Sequence, residues 1–172
     1  MPTRQLAPED ALDRLRAQFG DNVTDTVVQH GHAVATVTPA RYHDVIRSLR
    51  DEPDFACDYC DFTSAVDWGE EGMDIVTHLF STQARHNVRI KVKLPADQLT
   101  LDTISDLYPT ADWHERETTE MFGVTFTGHP QPVKLLLAEP FEGHPLRKDF
   151  PLMTREAKPW PGAVEGEEDE DE

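Results

Sequence analysis

The octet Asn87-Val88-Arg89-Ile90-Lys91-Val92-Lys93-Leu94 alternates polar and apolar residues without a break. A period of two puts Val88, Ile90, Val92 and Leu94 on one side of an extended strand and the polar residues on the other. A strand with one wet face and one core face belongs to a sheet covered on one side. Two further runs rich in β-formers, residues 61–68 and 74–81, precede it. Glu70-Glu71-Gly72 supplies the turn between them, and Gln83-Ala84-Arg85-His86 leads into the octet. Together they predict a three-stranded antiparallel meander.

Helical spacing appears on both sides of that meander. Pro8–Phe19 brings Ala11, Leu12, Leu15 and Phe19 to one face and ends at Gly20, a residue suited to the positive φ of a helix C-terminus. Residues 23–37 carry β-formers on both sides of His30-Gly31 and predict a hairpin, with Val27 and Val28 on one arm and Val34 and Val37 on the other. Thr38-Pro39 reads as an N-cap and first-turn proline for a helix in which Tyr42, Val45, Ile46 and Leu49 recur at i, i+3, i+4 and i+7. Residues 100–107 predict a short helix that ends before Pro109, and 111–122 another that stops at Gly123.

Strands grouped together with helices outside them, rather than strict β-α-β alternation, define the expected fold class: α+β, a two-layer domain with a mostly antiparallel mixed sheet covered by helices, plus an extended C-terminal segment. A length of 172 residues suits one such domain. Its expected extent is residues 1–155. Residues 156–172 end in E-G-E-E-D-E-D-E and are expected to form an acidic tail that cannot bury enough apolar surface to order itself.

The formal net charge is -17, and no basic run is longer than Arg147-Lys148. Nucleic acid is therefore excluded as a partner, since binding the phosphate backbone requires clustered cations. No stretch reaches the ~18 apolar residues of a membrane span, and the N-terminus shows no signal or transit pattern. A cytosolic chain is expected, with any membrane association made through a partner. Two cysteines are too few for a disulfide framework.

Candidate chemical centres are sparse. Cys57-x-x-Cys60 is half of a metal site without a second ligand pair, and Asp58 and Asp61 around it oppose thiolate formation. His114, His129 and His144 recur at a constant interval, yet Thr118 stands where a helical zinc site needs its second histidine. His129-Pro130 and His144-Pro145 read instead as turn residues whose ring nitrogens bond backbone carbonyls. No nucleophile elbow and no phosphate-binding glycine loop occurs. Glu115 and Glu117 point to nearly opposite sides of a helix, and only Glu117 and Glu120 share a face. Catalytic, cofactor-binding and metal residues are all expected to be absent.

The segment from Trp113 to Leu152 is different in kind. Glu115, Arg116, Glu117, Arg147, Lys148 and Asp149 stand between apolar anchors, a pattern that holds opposite charges at fixed places on a folded surface. The string E-R-E-T-T-E-M-F-G-V at 115–124, then His129, Leu135-Leu136-Leu137 and E-G-H-P-L-R-K-D-F-P-L at 142–152, closely resembles the signature of the thirty-kilodalton subunit of respiratory NADH:quinone oxidoreductase, the C subunit of bacterial complex I. The resemblance implies a peripheral-arm subunit without a redox centre, part of a hetero-oligomer on the cytoplasmic face of the plasma membrane. Its implied neighbours are the quinone-site subunit of the forty-nine-kilodalton type and iron-sulfur subunits, with FMN and iron-sulfur clusters carried by partners.

By the same carry-over, Glu115, Arg116 and Glu117 lie on a helix that fixes the core or its neighbour. Arg147, Lys148 and Asp149 lie in an extended segment reaching along the partner, and His129 and His144 complete the expected interaction set. Arg147→Glu is accordingly expected to weaken assembly more than the isolated fold. Lys134 departs from the family pattern, in which an arginine is common at that place, and lysine cannot make the same two-pronged bond to a carboxylate. The runner-up is the equivalent subunit of a membrane-bound hydrogenase or another quinone-reducing relative.

Overall fold

The computed structural model describes residues 5–151. Helix α1, Pro8–Phe19, forms as expected; proline at its first turn is harmless, and Gly20 closes it at φ +54°. The hairpin follows as β1, Val23–Gln29, and β2, His32–Val37, with His30-Gly31 at the turn. Helix α2, Tyr42–Asp51, buries Tyr42, Val45, Ile46 and Leu49 completely. Each such side chain contributes roughly 1.5–3 kcal/mol of burial. Then come β3, Tyr59–Asp67, β4, Met73–Phe80, and β5, Asn87–Leu94, the alternating octet without a residue gained or lost.

The sheet order is β1-β2-β5-β4-β3. β3, β4 and β5 pair antiparallel, as the meander predicts, while β2 and β5 pair parallel, so the sheet is mixed and mostly antiparallel. The most regular strand therefore sits at the centre. Val88, Ile90, Val92 and Leu94 meet Ala33, Ala35, Val37, Ile75 and Leu79 on one face, where the apolar stripes of the helices close the core. Hydrogen bonding and burial agree: the edge strand β1 leaves Val27 and Val28 partly exposed, whereas β5 buries every apolar residue it has.

Three expectations are corrected. Residues 100–107 are not a helix: Thr100–Asp102 is a strand, β6, paired parallel with a second short strand, β7, Thr125–Thr127, and residues 104–107 are a turn. Leu101, Ile104 and Leu107 bury their side chains without helical backbone: β7 supplies the hydrogen bonds of residues 100–103, Glu115 accepts from Ile104 N–H, and Leu107 N–H closes a turn on Ile104 O, a case of tertiary context overriding local spacing. Pro109 is not a stop; it opens α3, Pro109–Phe122, where a missing N–H costs nothing. Thr38 does not cap α2: Pro39–Arg41 is a 3-10 turn, no side chain caps the helix, and the Thr38 hydroxyl bonds Asn22 Oδ1 at 3.1 Å. The expected domain limit at 155 and the tail at 156–172 lie outside the described residues.

Candidate functional site

Helix α3 packs against β3 and ends at Gly123 in the left-handed conformation. A helix leaves its last four carbonyls without intrahelical partners. Here all four are met. Gly123 N–H donates to Thr119 O at 2.9 Å, and Leu146 N–H to Met121 O at 3.1 Å. His144 Nδ1 donates to Glu120 O at 2.8 Å, and the Arg147 guanidinium donates to Phe122 O. The chain from 128 to 147 thus returns to the end of the helix that precedes it. A side chain at 123 would break this arrangement, since a Cβ there would lie 2.6 Å from both His144 Nε2 and the Arg147 guanidinium.

The middle of the same segment is held by Glu120, which is almost wholly buried. Its two oxygens accept from the backbone N–H groups of Leu135, Leu136 and Leu137 at 2.7, 2.8 and 3.3 Å. Arg116 grips the adjoining residues, donating to Val133 O at 2.8 Å and Lys134 O at 3.1 Å. Its nearest carboxylate, Asp112, is 3.9 Å away. Lys134 in turn donates to Phe141 O at 2.9 Å. Glu120, Arg116 and Lys134 are therefore directed mainly at backbone groups, which an extended run without a strand partner leaves unsatisfied.

Glu115 is fully buried. Thr103 Oγ1 donates to one of its oxygens and Ile104 N–H to the other at 2.7 Å, joining α3 to the turn after β6. Burial pushes its carboxyl up to about 7, against the opposing effect of those two hydrogen bonds. His129 lies alongside, with Nε2 3.8 Å from Glu115 Oε2, 3.2 Å from Asp112 Oδ1 and 3.2 Å from Asp112 O. Because Gln131 N–H donates to Nδ1, the proton sits on Nε2 in the neutral ring. The expectation that His129 and His144 bond backbone carbonyls is met.

The remaining residues of the expected interaction set face outward. Glu117 is exposed, on the opposite side of α3 from Glu115. Lys148 N–H donates to Asp67 Oδ2 at 2.7 Å and its ammonium lies 5.7 Å from the Trp68 ring centre; Asp149 is exposed, and Asp67, Lys148 and Asp149 line one cleft. Burial would raise Asp67, but the N–H bonds from Lys148 and Gly69 prevail and hold it below the usual carboxylate range. Next to Glu117, a groove of about 480 Å³ is walled by Pro109, Trp113, His114, Leu135 and Leu136. Trp113 is 64% exposed and Leu136 59%, and Val133 and Leu146 are also half in solvent. Large apolar side chains exposed together are a feature shared by protein-binding, membrane-binding and ligand-binding surfaces.

Glu120 is the residue that sequence reasoning missed. The pattern that could reveal it is the leucine triplet flanked by Pro132 and Pro140, three amides in need of an acceptor. Cys57 and Cys60 are buried in the core, and burial pushes the thiols up to about 12 and about 11, with Asp58 and then Glu115 and Asp61 adding to the effect. Thiolate chemistry at neutral pH is thereby suppressed. Among the described residues no cluster of three His, Cys, Asp or Glu could hold a metal ion, and no helix is long and apolar enough to cross a membrane.

Comparison with known proteins gives a consistent result. The family model described as respiratory-chain NADH dehydrogenase, 30 Kd subunit, matches residues 35–156. The C subunit of the NADH-quinone oxidoreductase of Salinispora tropica is 37% identical over 146 residues, which cover 83% of this chain and 60% of that protein. The corresponding subunit of Roseiflexus sp. strain RS-1 is 38% identical over 147 residues, covering 84% of each chain. Among solved structures, a trypsin-resistant fragment of Nqo5 superimposes with a TM-score of 0.62 at 20% identity, over 72% of this chain and 97% of that one. This last likeness concerns the fold.

Proposed function

Because this chain belongs to the 30 Kd subunit family of respiratory-chain NADH dehydrogenase, we propose that it works as a non-redox subunit in the peripheral arm of an NADH-quinone oxidoreductase. The observation that carries this reading is the identity of 37% and 38% to two proteins named as the C subunit of that enzyme, each match spanning over four-fifths of the chain. In this reading electrons travel from NADH to quinone through FMN and iron-sulfur clusters held by partner subunits, coupled to ion translocation by the whole complex. The quinone-site subunit of the forty-nine-kilodalton type and the iron-sulfur subunits are the proposed neighbours. The proposed location is the cytoplasmic face of the membrane.

The chain's own contribution is a rigid surface. Glu120, Arg116, His144 and Arg147 pin residues 128–147 to α3 from end to end. The Trp113-Leu136 groove is thereby shaped before a partner arrives, which reduces the ordering cost of association. Glu117 supplies an exposed charge beside it, and Lys148 and Asp149 supply exposed charges at the separate cleft next to Asp67. Glu115 and His129 act from beneath by positioning α3.

The test is affinity purification of the tagged chain from gently solubilised membranes of its source, with mass spectrometry of the co-purified proteins. Recovery of the quinone-site subunit, iron-sulfur subunits and an NADH-binding flavoprotein supports the proposal. Hydrogenase-type partners without that flavoprotein, or no partners, overturn it. Trp113→Ala is expected to reduce recovery while leaving the thermal midpoint of the free subunit within a degree or two, since exposed substitutions typically change stability by under ~0.5 kcal/mol.

A further inference from the structure

The second face of the five-stranded sheet carries no helix among the described residues, because α1, α2 and α3 all close on the face that holds Ile90 and Val92. Along the central strand β5 the outward positions are Arg89, Lys91 and Lys93. In a chain with a formal net charge of -17 this is a column of three cations on alternate residues. None of the three makes an ion pair with a described residue. Arg89 Nε is buried without a hydrogen-bond partner among the described residues, and so is Nδ1 of His78, its cross-strand neighbour. Around the column lie apolar groups, with Phe62 stacked on His78 at 5.6 Å, Val76 half-buried and Val66 exposed.

We propose that this face docks an acidic helix of a protein partner, its carboxylates seated along Arg89, Lys91 and Lys93. The spacing suits that occupant. Alternate residues on a strand repeat every ~6.6–6.8 Å, and carboxylates four apart on a helix repeat every ~6 Å. The charge distribution selects against a broad anionic surface such as a membrane or a nucleic acid. Asp25 on β1, Asp61 on β3 and Asp74 on β4 lie at the flanks or beside the column, so attraction is confined to the middle of the sheet. A narrow acidic element with apolar sides meets both features. This surface is separate from the Trp113 groove, and its occupant is a partner in the assembly proposed above.

The experiment compares lysine acetylation in the free subunit and in the intact assembly and, on separate unacetylated assembly, applies carbodiimide coupling, which joins an amine only to a carboxylate in direct contact. Lys91 and Lys93 are expected to lose about tenfold in reactivity on assembly and to couple to Asp or Glu of one partner helix. A Lys91→Gln, Lys93→Gln double variant, which places no like charge opposite Asp74, is expected to weaken that association about tenfold or more, with an unchanged thermal midpoint of the free subunit. Equal reactivity in both states overturns the inference. Coupling to a second copy, or to residues 152–172 of the same chain, overturns it as well. If respiratory subunits still co-purify while Lys91 and Lys93 stay reactive, the inference falls and the functional reading stands; if they do not co-purify with the unaltered chain, the functional reading falls first.

Discussion

Glu115→Gln isolates the free energy of keeping a carboxyl inside the α3 layer. Burial raises Glu115 from its ordinary 4.5 to about 7 in the folded chain. At about 1.4 kcal/mol per pH unit, that displacement corresponds to about 3 kcal/mol. A group raised on folding contributes its stability fully below the unfolded value and loses it as pH rises through the folded one. The loss attached to Glu115 therefore accumulates between about 4.5 and 7 and is complete by pH 8. Glutamine keeps an acceptor for the Ile104 N–H and carries no charge at any pH. Relative to the unaltered chain, the variant should gain about 3 kcal/mol between pH 4.5 and 8, whatever constant offset the amide introduces. Urea or guanidinium unfolding of both proteins at several pH values, at constant ionic strength, measures the difference and cancels other titrating groups such as Asp67 and Asp58. Parallel curves across that range would refute the assignment of a raised carboxyl at this position.

Three further outcomes test the strap around α3. Glu120→Ala removes the acceptor of three backbone N–H groups and should cost about 2–4 kcal/mol, with limited proteolysis shifting into residues 128–147; a resistant segment would contradict the anchoring role. Gly123→Ala combines a positive-φ residue with a Cβ inside the His144 and Arg147 contacts, and should lower the thermal midpoint by several degrees, whereas no change would show that the segment shifts freely. Arg147→Glu faces the Phe122 carbonyl with a carboxylate and should destabilise the isolated subunit by about 1–3 kcal/mol, measurable by denaturant unfolding. That outcome moves the expected cost from assembly into the chain's own fold. Unchanged stability of the free subunit would return the cost to assembly.

Local patterns with one dominant period were legible. The octet at β5 announced its strand because alternation leaves no competing helix face, and α2 was readable because Tyr42, Val45, Ile46 and Leu49 form one stripe. The strand and turn within residues 100–107 escape a local reading for the complementary reason. Leu101, Ile104 and Leu107 satisfy a helical spacing, but the backbone at Leu101 is held by β7, more than twenty residues later in the chain, and that at Ile104 by the Glu115 carboxylate. The site divides along the same line. The turn roles of His129 and His144 follow from their prolines, and the placing of Glu115 and Glu117 on opposite sides of α3 follows from helical geometry. The burial of Glu120 does not, because its acceptor role depends on where the leucine triplet is carried in space.

Residue order alone established the α+β class, the hairpin, the meander and the two clearest helices, since each depends on neighbours within a few positions along the chain. It also carried the family resemblance, because the charged segment from 113 to 152 is distinctive as a string. Tertiary structure decided the parallel pairing of β2 with β5, the face of the sheet that no described helix covers and the use of the charged residues. A charge on a linear string shows only what it could pair with. Folding brought Glu120 and Arg116 against unpaired backbone groups, where satisfying a buried or half-buried amide or carbonyl outweighs the small gain of an exposed ion pair.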